Sequence, residues 1–241
     1  MNQGQQQQIQ WDVELIKRYD KSGPRYTSYP TAVQFNEGFT PSHYDQARVA
    51  GNESRQPLSL YVHIPFCAHV CYYCACNKVI TKRREKAQPY LDRLYKEMEM
   101  RAQGYPKDRK VEQLHWGGGT PTFISHEQMS ELMDKMGEHF NLSNDQDRDF
   151  SIEIDPRELQ EGTLAHLKKI GFNRISLGVQ DFDENVQKAV NRVQPLELTR
   201  DTLLEAKQLG FRSINIDLIY GLPLQTRDSF RQTLKTVLEL S

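Results

Sequence analysis

The 241-residue chain is most informative first in what it lacks. No apolar run approaches the about 18 residues that a membrane-spanning helix needs. Residues 1–10 are Gln-rich and polar, without the apolar centre of an export signal, and read as a disordered leader. Cationic excess is missing: the formal net charge is -1, which argues against a general nucleic-acid binder. Cysteine is confined to one stretch of ten residues, so no second pair stands elsewhere to complete the usual two-pair zinc site. Disulfides among cysteines so crowded would close only tiny loops. A glycine-rich segment occurs at 117–119, but no P-loop lysine accompanies it, so nucleoside triphosphate binding is poorly supported.

What is present describes a globular chain. Hydrophobic residues make up 37% and charged residues 26%, enough for one large domain or two small ones with a sizeable core. A cytoplasmic, reducing location is the default expectation, and there thiols and metal sites are favoured over disulfides.

The cysteines are Cys67, Cys71, Cys74 and Cys76, spaced C-x3-C-x2-C-x-C. One loop offering three thiolates suits an iron–sulfur cube whose fourth iron stays open to a small molecule. Cys76 could close the cube as a fourth ligand, although its one-residue spacing from Cys74 makes joint ligation awkward. His63 and His69 flank the run and offer a zinc alternative.

From residue 58 a strand-then-helix rhythm follows. Strands are predicted over 58–64, 111–116, 150–154, 174–178 and 213–218, and helices over 85–103, 125–140, 162–170, 196–209 and 226–240, with a further short helix before 196. Apolar residues recur at helical spacing, as in Leu91, Leu94 and Met98, or Leu132, Met136 and Phe140. The segment KKIGFNRISL at 168–177 echoes AKQLGFRSIN at 206–215, each a helix end, a glycine, a phenylalanine and a new strand. Such units favour parallel strands joined by right-handed crossovers. Rhythm alone leaves open both a barrel and a doubly wound sheet.

The cysteines, the glycine run, Glu153, Gln180 and Asp217 all fall at or just past a predicted strand end. In parallel β/α folds those ends converge on the ligand-binding face. Glycines there allow close backbone approach to a ligand, or simply make a tight turn. Glu153 and Asp155 share a face by the period of two, with Glu153 the ligand contact and Asp155 structural or part of an Asp-Pro turn. Asp217 lies in an apolar strand and needs a partner, either a buried Arg or a ligand. The basic run Lys82-Arg83-Arg84, with Lys78 and Lys86 beside it, is a solvated helix start or a site for carboxylates. The stretch SGPRYTSYPT at 22–31 either packs across the fold or covers a flat aromatic ligand, with Arg25 pairing a carboxylate.

Taken with YVHIPFC at 61–67, CYYCAC at 71–76, HWGGGTP at 115–121 and GVQD at 178–181, the chain resembles the oxygen-independent coproporphyrinogen III oxidase branch of radical S-adenosylmethionine (SAM) proteins from about residue 11 onward. A related haem-chaperone branch usually lacks the RYTSYP stretch and the cysteine at position 76. A non-catalytic haem-binding protein on the same scaffold is the alternative reading.

The resemblance implies an α/β fold of the radical SAM type, a partial (β/α) barrel of parallel strands that stops after about five β/α units. It implies a leader and substrate-side segment over 1–55 and the partial barrel over 56–241. Cys67, Cys71 and Cys74 would hold a 4Fe–4S cluster, with Cys76 not a ligand. One SAM would meet Tyr61, Gly118 and Glu153. A second SAM would meet Tyr73, Gly119, Thr120, Gln180, Arg192 and Asp217; Tyr73 stands where many relatives carry Phe. The implied chemistry is oxidative decarboxylation of coproporphyrinogen III to protoporphyrinogen IX in haem synthesis, fed by an electron donor of unstated identity. No nucleic-acid or membrane partner is implied, and a monomer is expected. Family members continue beyond this length, so this chain is expected to hold most of the cofactor site with little complete activity, its fifth strand left as an uncovered edge.

Overall fold

The computed structural model describes residues 11–20 and 34–240. The expected leader at 1–10 and the SGPRYTSYPT stretch lie outside the described residues. The chain divides into two compact units, Met1–Ala50 and Gly51–Ser241. The sequence reading assigned no element before residue 58, but two helices stand there: α1 (Val13–Tyr19), capped by Asp12, and α2 (Pro41–Glu53). Neither buries a residue: the apolar side chains of α1, Val13, Leu15, Ile16 and Tyr19, are exposed, and α2 is mostly polar.

The larger unit continues with β1 (Leu58–Ile64), β2 (Phe66–Cys67), β3 (Val79–Ile80), α3 (Ala87–Ala102), β4 (Lys110–Gly118), α4 (His126–His139), β5 (Asn141–Leu142) and β6 (Asp149–Ile154). Then come α5 (Thr163–Lys169), β7 (Arg174–Gln180), α6 (Glu184–Ala189), α7 (Leu196–Gln208), β8 (Ser213–Leu218) and α8 (Arg227–Leu240). The expected main strands and helices are all found, with ends shifted by a few residues.

Five strands form one sheet in the order β1-β4-β6-β7-β8, and every pair is parallel; β5 adds a short pairing to β4. Spatial order follows chain order with no reversal, unlike the doubly wound sheet, whose strand order turns back at a switch point. The strands alternate, strictly so in β6 and β7. Val62 and Ile64, Leu114 and Trp116, Ile152 and Ile154, and Ile175 and Leu177 are buried with side chains of α3, α4, α5 and α7. The intervening residues include Tyr61, His63, His115, Ser151, Glu153, Ser176 and Asp217, and none of them is fully buried. Parallel sheets are ordinarily covered on both faces. A polar second face therefore marks the side given over to a ligand.

The echoing segments are structural repeats. Gly171 and Gly210 follow α5 and α7 with φ of 110° and 70°. Each donates its N–H to the helix, to Lys168 O and Lys207 O respectively. Phe172 N bonds Leu167 O and Phe211 N bonds Ala206 O, completing the same two-bond helix ending twice. Both phenylalanines are buried in the main core.

A Cβ at Gly171 or Gly210 would touch nothing, so substitution there costs backbone strain alone. Gly171→Ala and Gly210→Ala should each lower unfolding stability in urea by about 1–2 kcal/mol. Gly137 sits inside α4, also with space around it, and Gly137→Ala should raise stability by about 0.5–1 kcal/mol.

Candidate functional site

The carboxyl ends of the strands surround a cavity of about 210 Å³. Its walls bring together Cys67, Cys71, Cys74, Tyr73, Gly118, Gly119, Thr120, Glu153, Gln180, Arg192 and Asp217, residues the sequence reading drew from six separate segments. Tyr61 is the one candidate outside this lining. Its ring stacks on His115 at 5.8 Å and its hydroxyl lies 2.9 Å from His63 Nδ1; β1 stands two strands from Glu153, with β4 between them. Cys76, Lys78, Asp155, Arg157, Glu158 and Ser176 also line the cavity.

The cysteine loop leaves the end of β1 and returns as β3. Val79 N donates to Pro65 O at 2.7 Å and Thr81 N to Cys67 O at 2.8 Å, so the loop is pinned at its base. Inside it, Cys74 N bonds Cys71 O, and Lys78 Nζ donates to Cys74 O at 2.9 Å. The far side is tied down by Asn191, whose side chain donates to Val70 O, and by Tyr72 N bonding Val190 O.

The glycine run is demanded by this chain's own packing before any ligand is considered. A Cβ on Gly119 would lie 2.7 Å from the carbonyl oxygens of Pro65 and Phe66. One on Gly118, whose φ is 116°, would strike the His63 ring at 2.7 Å. One on Gly117 would meet the Glu153 carboxyl at 3.0 Å. The run lets the end of β4 lie against the start of the cysteine loop. Gly118 N then donates to Glu153 Oε2 at 3.2 Å.

A buried charge knot stands behind the cysteines. Asp155 accepts from Arg157 Nη2 at 2.6 Å and from Arg192 Nη1 at 3.0 Å. Both guanidinium groups also lie 3.6 Å from Cys71 Sγ. Burial alone would raise the Asp155 carboxyl, but the bonds from Arg157 and the charge of Arg192 outweigh it and hold it below the usual carboxylate range. Burial acts against the Arg157 charge as well, and Asp155 more than restores it. Asp155 is thus the structural carboxylate expected from the sequence, and it also makes the Asp-Pro turn by capping Arg157 N. Arg157, two residues further on, was missed; a lone arginine after Asp-Pro carries no signal of its own.

Glu153 remains half-exposed, with His115 Nε2 at 3.4 Å. Of the two partners offered for Asp217, a buried arginine is not found: the carboxylate is exposed on the polar face, lines the cavity and accepts from Ser176 Oγ at 2.7 Å. Only alternate residues of β8 face the core, so an apolar-looking strand still presents a carboxylate to the cavity. Gln180 closes β7 with a φ of 73°, where the register with β8 shifts. Such backbone is unfavourable for a non-glycine residue and tends to occur at functional positions. Asp181 is buried and held by Thr233 Oγ1 at 2.6 Å and by Gln225, which fixes the turn that presents Gln180.

Among the described residues, no three His, Cys, Asp or Glu side chains are set as a ready site for a single metal ion. An iron–sulfur cube asks for something different, since each cysteine binds its own iron at a separate corner. The donor set suits it: four thiols line one cavity, Cys67, Cys71 and Cys74 among them, with Thr120 Oγ1 3.6 Å from Cys67 Sγ and two cationic side chains behind Cys71. Arg192 Nε is buried with no partner, a donor left over on the cavity wall.

The Radical SAM superfamily model matches residues 61–237. A Pseudomonas aeruginosa protein described as oxygen-independent coproporphyrinogen III oxidase is 57% identical over 232 residues, 96% of this chain and 50% of that protein. A Mannheimia haemolytica sequence of the same description is 50% identical over 149 residues, 62% of this chain and 99% of that sequence. The solved coproporphyrinogen III oxidase of Escherichia coli, described as a radical SAM enzyme, superposes with a TM-score of 0.85 at 50% identity, covering 98% of this chain and 51% of that one. This chain spans about half the length of the long relatives it matches. With its thiol loop, glycine run and polar sheet face in the places described, the chain belongs to the radical SAM superfamily and, within it, to the family of oxygen-independent coproporphyrinogen III oxidases.

Proposed function

We propose that this chain serves the anaerobic oxidative decarboxylation of coproporphyrinogen III to protoporphyrinogen IX in haem synthesis, two propionate side chains each losing carbon dioxide to become vinyl groups. The observation that carries this reading is one cavity in which Cys67, Cys71, Cys74, the glycine turn, Glu153 and Asp217 meet, in a chain 57% identical to a protein of that description. The sheet order and one-sided helical cover support a partial (β/α) barrel of five units over 56–241, with 1–55 as leader and substrate-side segment. A cytoplasmic, monomeric protein without membrane or nucleic-acid partners is the matching setting; no described helix is long and apolar enough to cross a membrane.

Cys67, Cys71 and Cys74 would hold a 4Fe–4S cluster and leave one iron open, with Cys76, which lines the same cavity, not a ligand. When bound, the cluster and SAM supply one-electron radical chemistry, and the protein's part is to bind, orient and exclude water. Glu153, oriented by Gly118 N and His115, offers a carboxylate to the amino group of the first SAM, with Tyr61 and Gly118 beside it. Burial first, and then the Glu153 charge, push the Tyr61 phenol up, so it stays a neutral donor. Tyr73, Gly119, Thr120, Gln180, Arg192 and Asp217 are assigned to a second SAM. Asp217, braced by Ser176, accepts from ammonium or hydroxyl groups. Arg192 contributes cationic charge and its unpaired Nε–H.

Anaerobic reconstitution with iron and sulfide, followed by SAM and dithionite, should yield 5′-deoxyadenosine, and Cys71→Ala should abolish it. A cluster that assembles without any nucleoside appearing would count against this reading of the cavity. Asp155→Ala leaves Arg157 and Arg192 without their counter-charge; it should cost roughly 3–5 kcal/mol in urea unfolding and reduce iron uptake per chain. An unchanged unfolding midpoint would show that the knot is not structural.

A further inference from the structure

Arg157 is the residue of the charge knot with no other task. Among the described residues, every side-chain hydrogen bond it makes goes to Asp155 or to Cys71. Its Nε meets Asp155 Oδ1 at 3.0 Å and its Nη2 meets Asp155 Oδ2 at 2.6 Å, a two-pronged grip that fixes the plane of the guanidinium. The same Nη2 lies 3.6 Å from Cys71 Sγ. Arg192, from the connection between α6 and α7, reaches that sulfur at the same distance. It is also tied to Asp155 Oδ2 and to Gly178 O, and Arg192 is a candidate SAM contact besides.

The thiols are therefore not treated alike. Cys67 Sγ meets the neutral hydroxyl of Thr120 at 3.6 Å. Lys78 Nζ bonds the Cys74 carbonyl rather than its sulfur. Cys71 Sγ faces two guanidinium groups that share one carboxylate, so one positive charge is left over beside it. The side chains of Asp155, Arg157 and Arg192 are only 12%, 16% and 7% exposed, so water screens that charge little. A salt bridge made for stability alone needs Asp155 and one arginine. It does not need two arginines aimed at a sulfur.

We propose that Arg157 is a tuning residue: its N–H on the Cys71 sulfur, with the positive charge left over on the knot, raises the reduction potential of the cluster that the three cysteines would hold. The inference rests on the function proposed above, in which one electron passes from an external reductant to the thiol-held cluster and no bond forms or breaks. Reduction adds negative charge, so a nearby cation and a donor to sulfur stabilise the reduced form more than the oxidised one. Asp155 holds the guanidinium in place and offsets part of its charge. Arg157 thus makes the cluster easier to reduce.

The test is a potentiometric titration of the reconstituted protein without SAM, with dithionite as reductant, dye mediators and EPR detection of the reduced cluster. Iron and sulfide per chain are counted first. At the potential that half-reduces the wild-type cluster, Arg157→Gln should lower the ratio of reduced to oxidised cluster about tenfold, or about 59 mV for one electron. Arg157→Lys keeps the cation and loses the planar fork, and should give a smaller fall in the same direction. Arg174→Gln breaks an ion pair of equal length, 2.6 Å to Asp149, at the amino ends of β6 and β7, and should leave the ratio unchanged. A wild-type potential in both Arg157 variants overturns the proposal, as does an equal shift in Arg174→Gln. Loss of the cluster from both Arg157 variants also overturns it and makes the residue a brace of the loop. A wild-type chain that takes up no cluster refutes the proposed function, and this inference with it; a wild-type cluster whose potential ignores Arg157 refutes this inference alone.

Discussion

Everything in the larger unit depends on how parallel strands divide their side chains. Alternate residues point to opposite faces, and here the two sets differ in kind. Trp116, Ile152 and Leu177 belong to the set packed with α3, α4, α5 and α7, while His115, Glu153 and Ser176 belong to the other. A slip of one residue in any strand would exchange the sets, driving a carboxylate into the core and an aliphatic residue into the cavity. The hydrophobic effect holds the register through one face, and that register places the chemistry of the other.

The strand ends then meet in a network with little slack. Gly119 passes so close to Pro65 and Phe66 that no side chain fits, which brings the β4 turn against the cysteine loop. Asp155 gathers two arginines that converge on Cys71. Removing water from three charged groups is costly, and the site recovers that cost because each guanidinium is bonded to the carboxylate and the carboxylate also accepts a backbone N–H. The thiol loop is thereby held from its base, by Thr81, and from behind, by this knot. Such support positions reactive groups more narrowly than a loop could alone.

The outer surface of that loop is a different environment. The wall facing the cavity carries thiols, glycines and buried charge, whereas the β2–β3 ribbon shows aliphatic side chains and cations to solvent. Both environments are set by the hydrogen bonds that tie the ribbon to the end of β1.

Much of this was legible in the sequence because it is local. Periodicities of 2 and 3.6 marked the strands and helices from residue 58 on, and glycine followed by phenylalanine marked two helix endings whose geometry proves alike. The crowding of Cys67, Cys71, Cys74 and Cys76 marked a thiol loop, the family resemblance singled out the first three, and the rule of strand ends pointed to Glu153, Gln180 and Asp217. What is not local was hidden. Helices α1 and α2 bury nothing, and the sequence assigned no element there. Arg157 gains meaning only through Asp155 and Cys71, the latter 86 residues away. The apolar strand around Asp217 left a buried arginine or a ligand as its partner, and only the pairing of β8 with β7 brings Ser176 to it. The glycine run looked like room for a ligand, yet the atoms that forbid a side chain are this chain's own, from β1 and β6. Sequence alone determined which elements form and which residues are chemically unusual, because backbone preference and side-chain period act over a few residues. Tertiary structure decided which of those residues touch, because contact between distant segments follows from strand order and register.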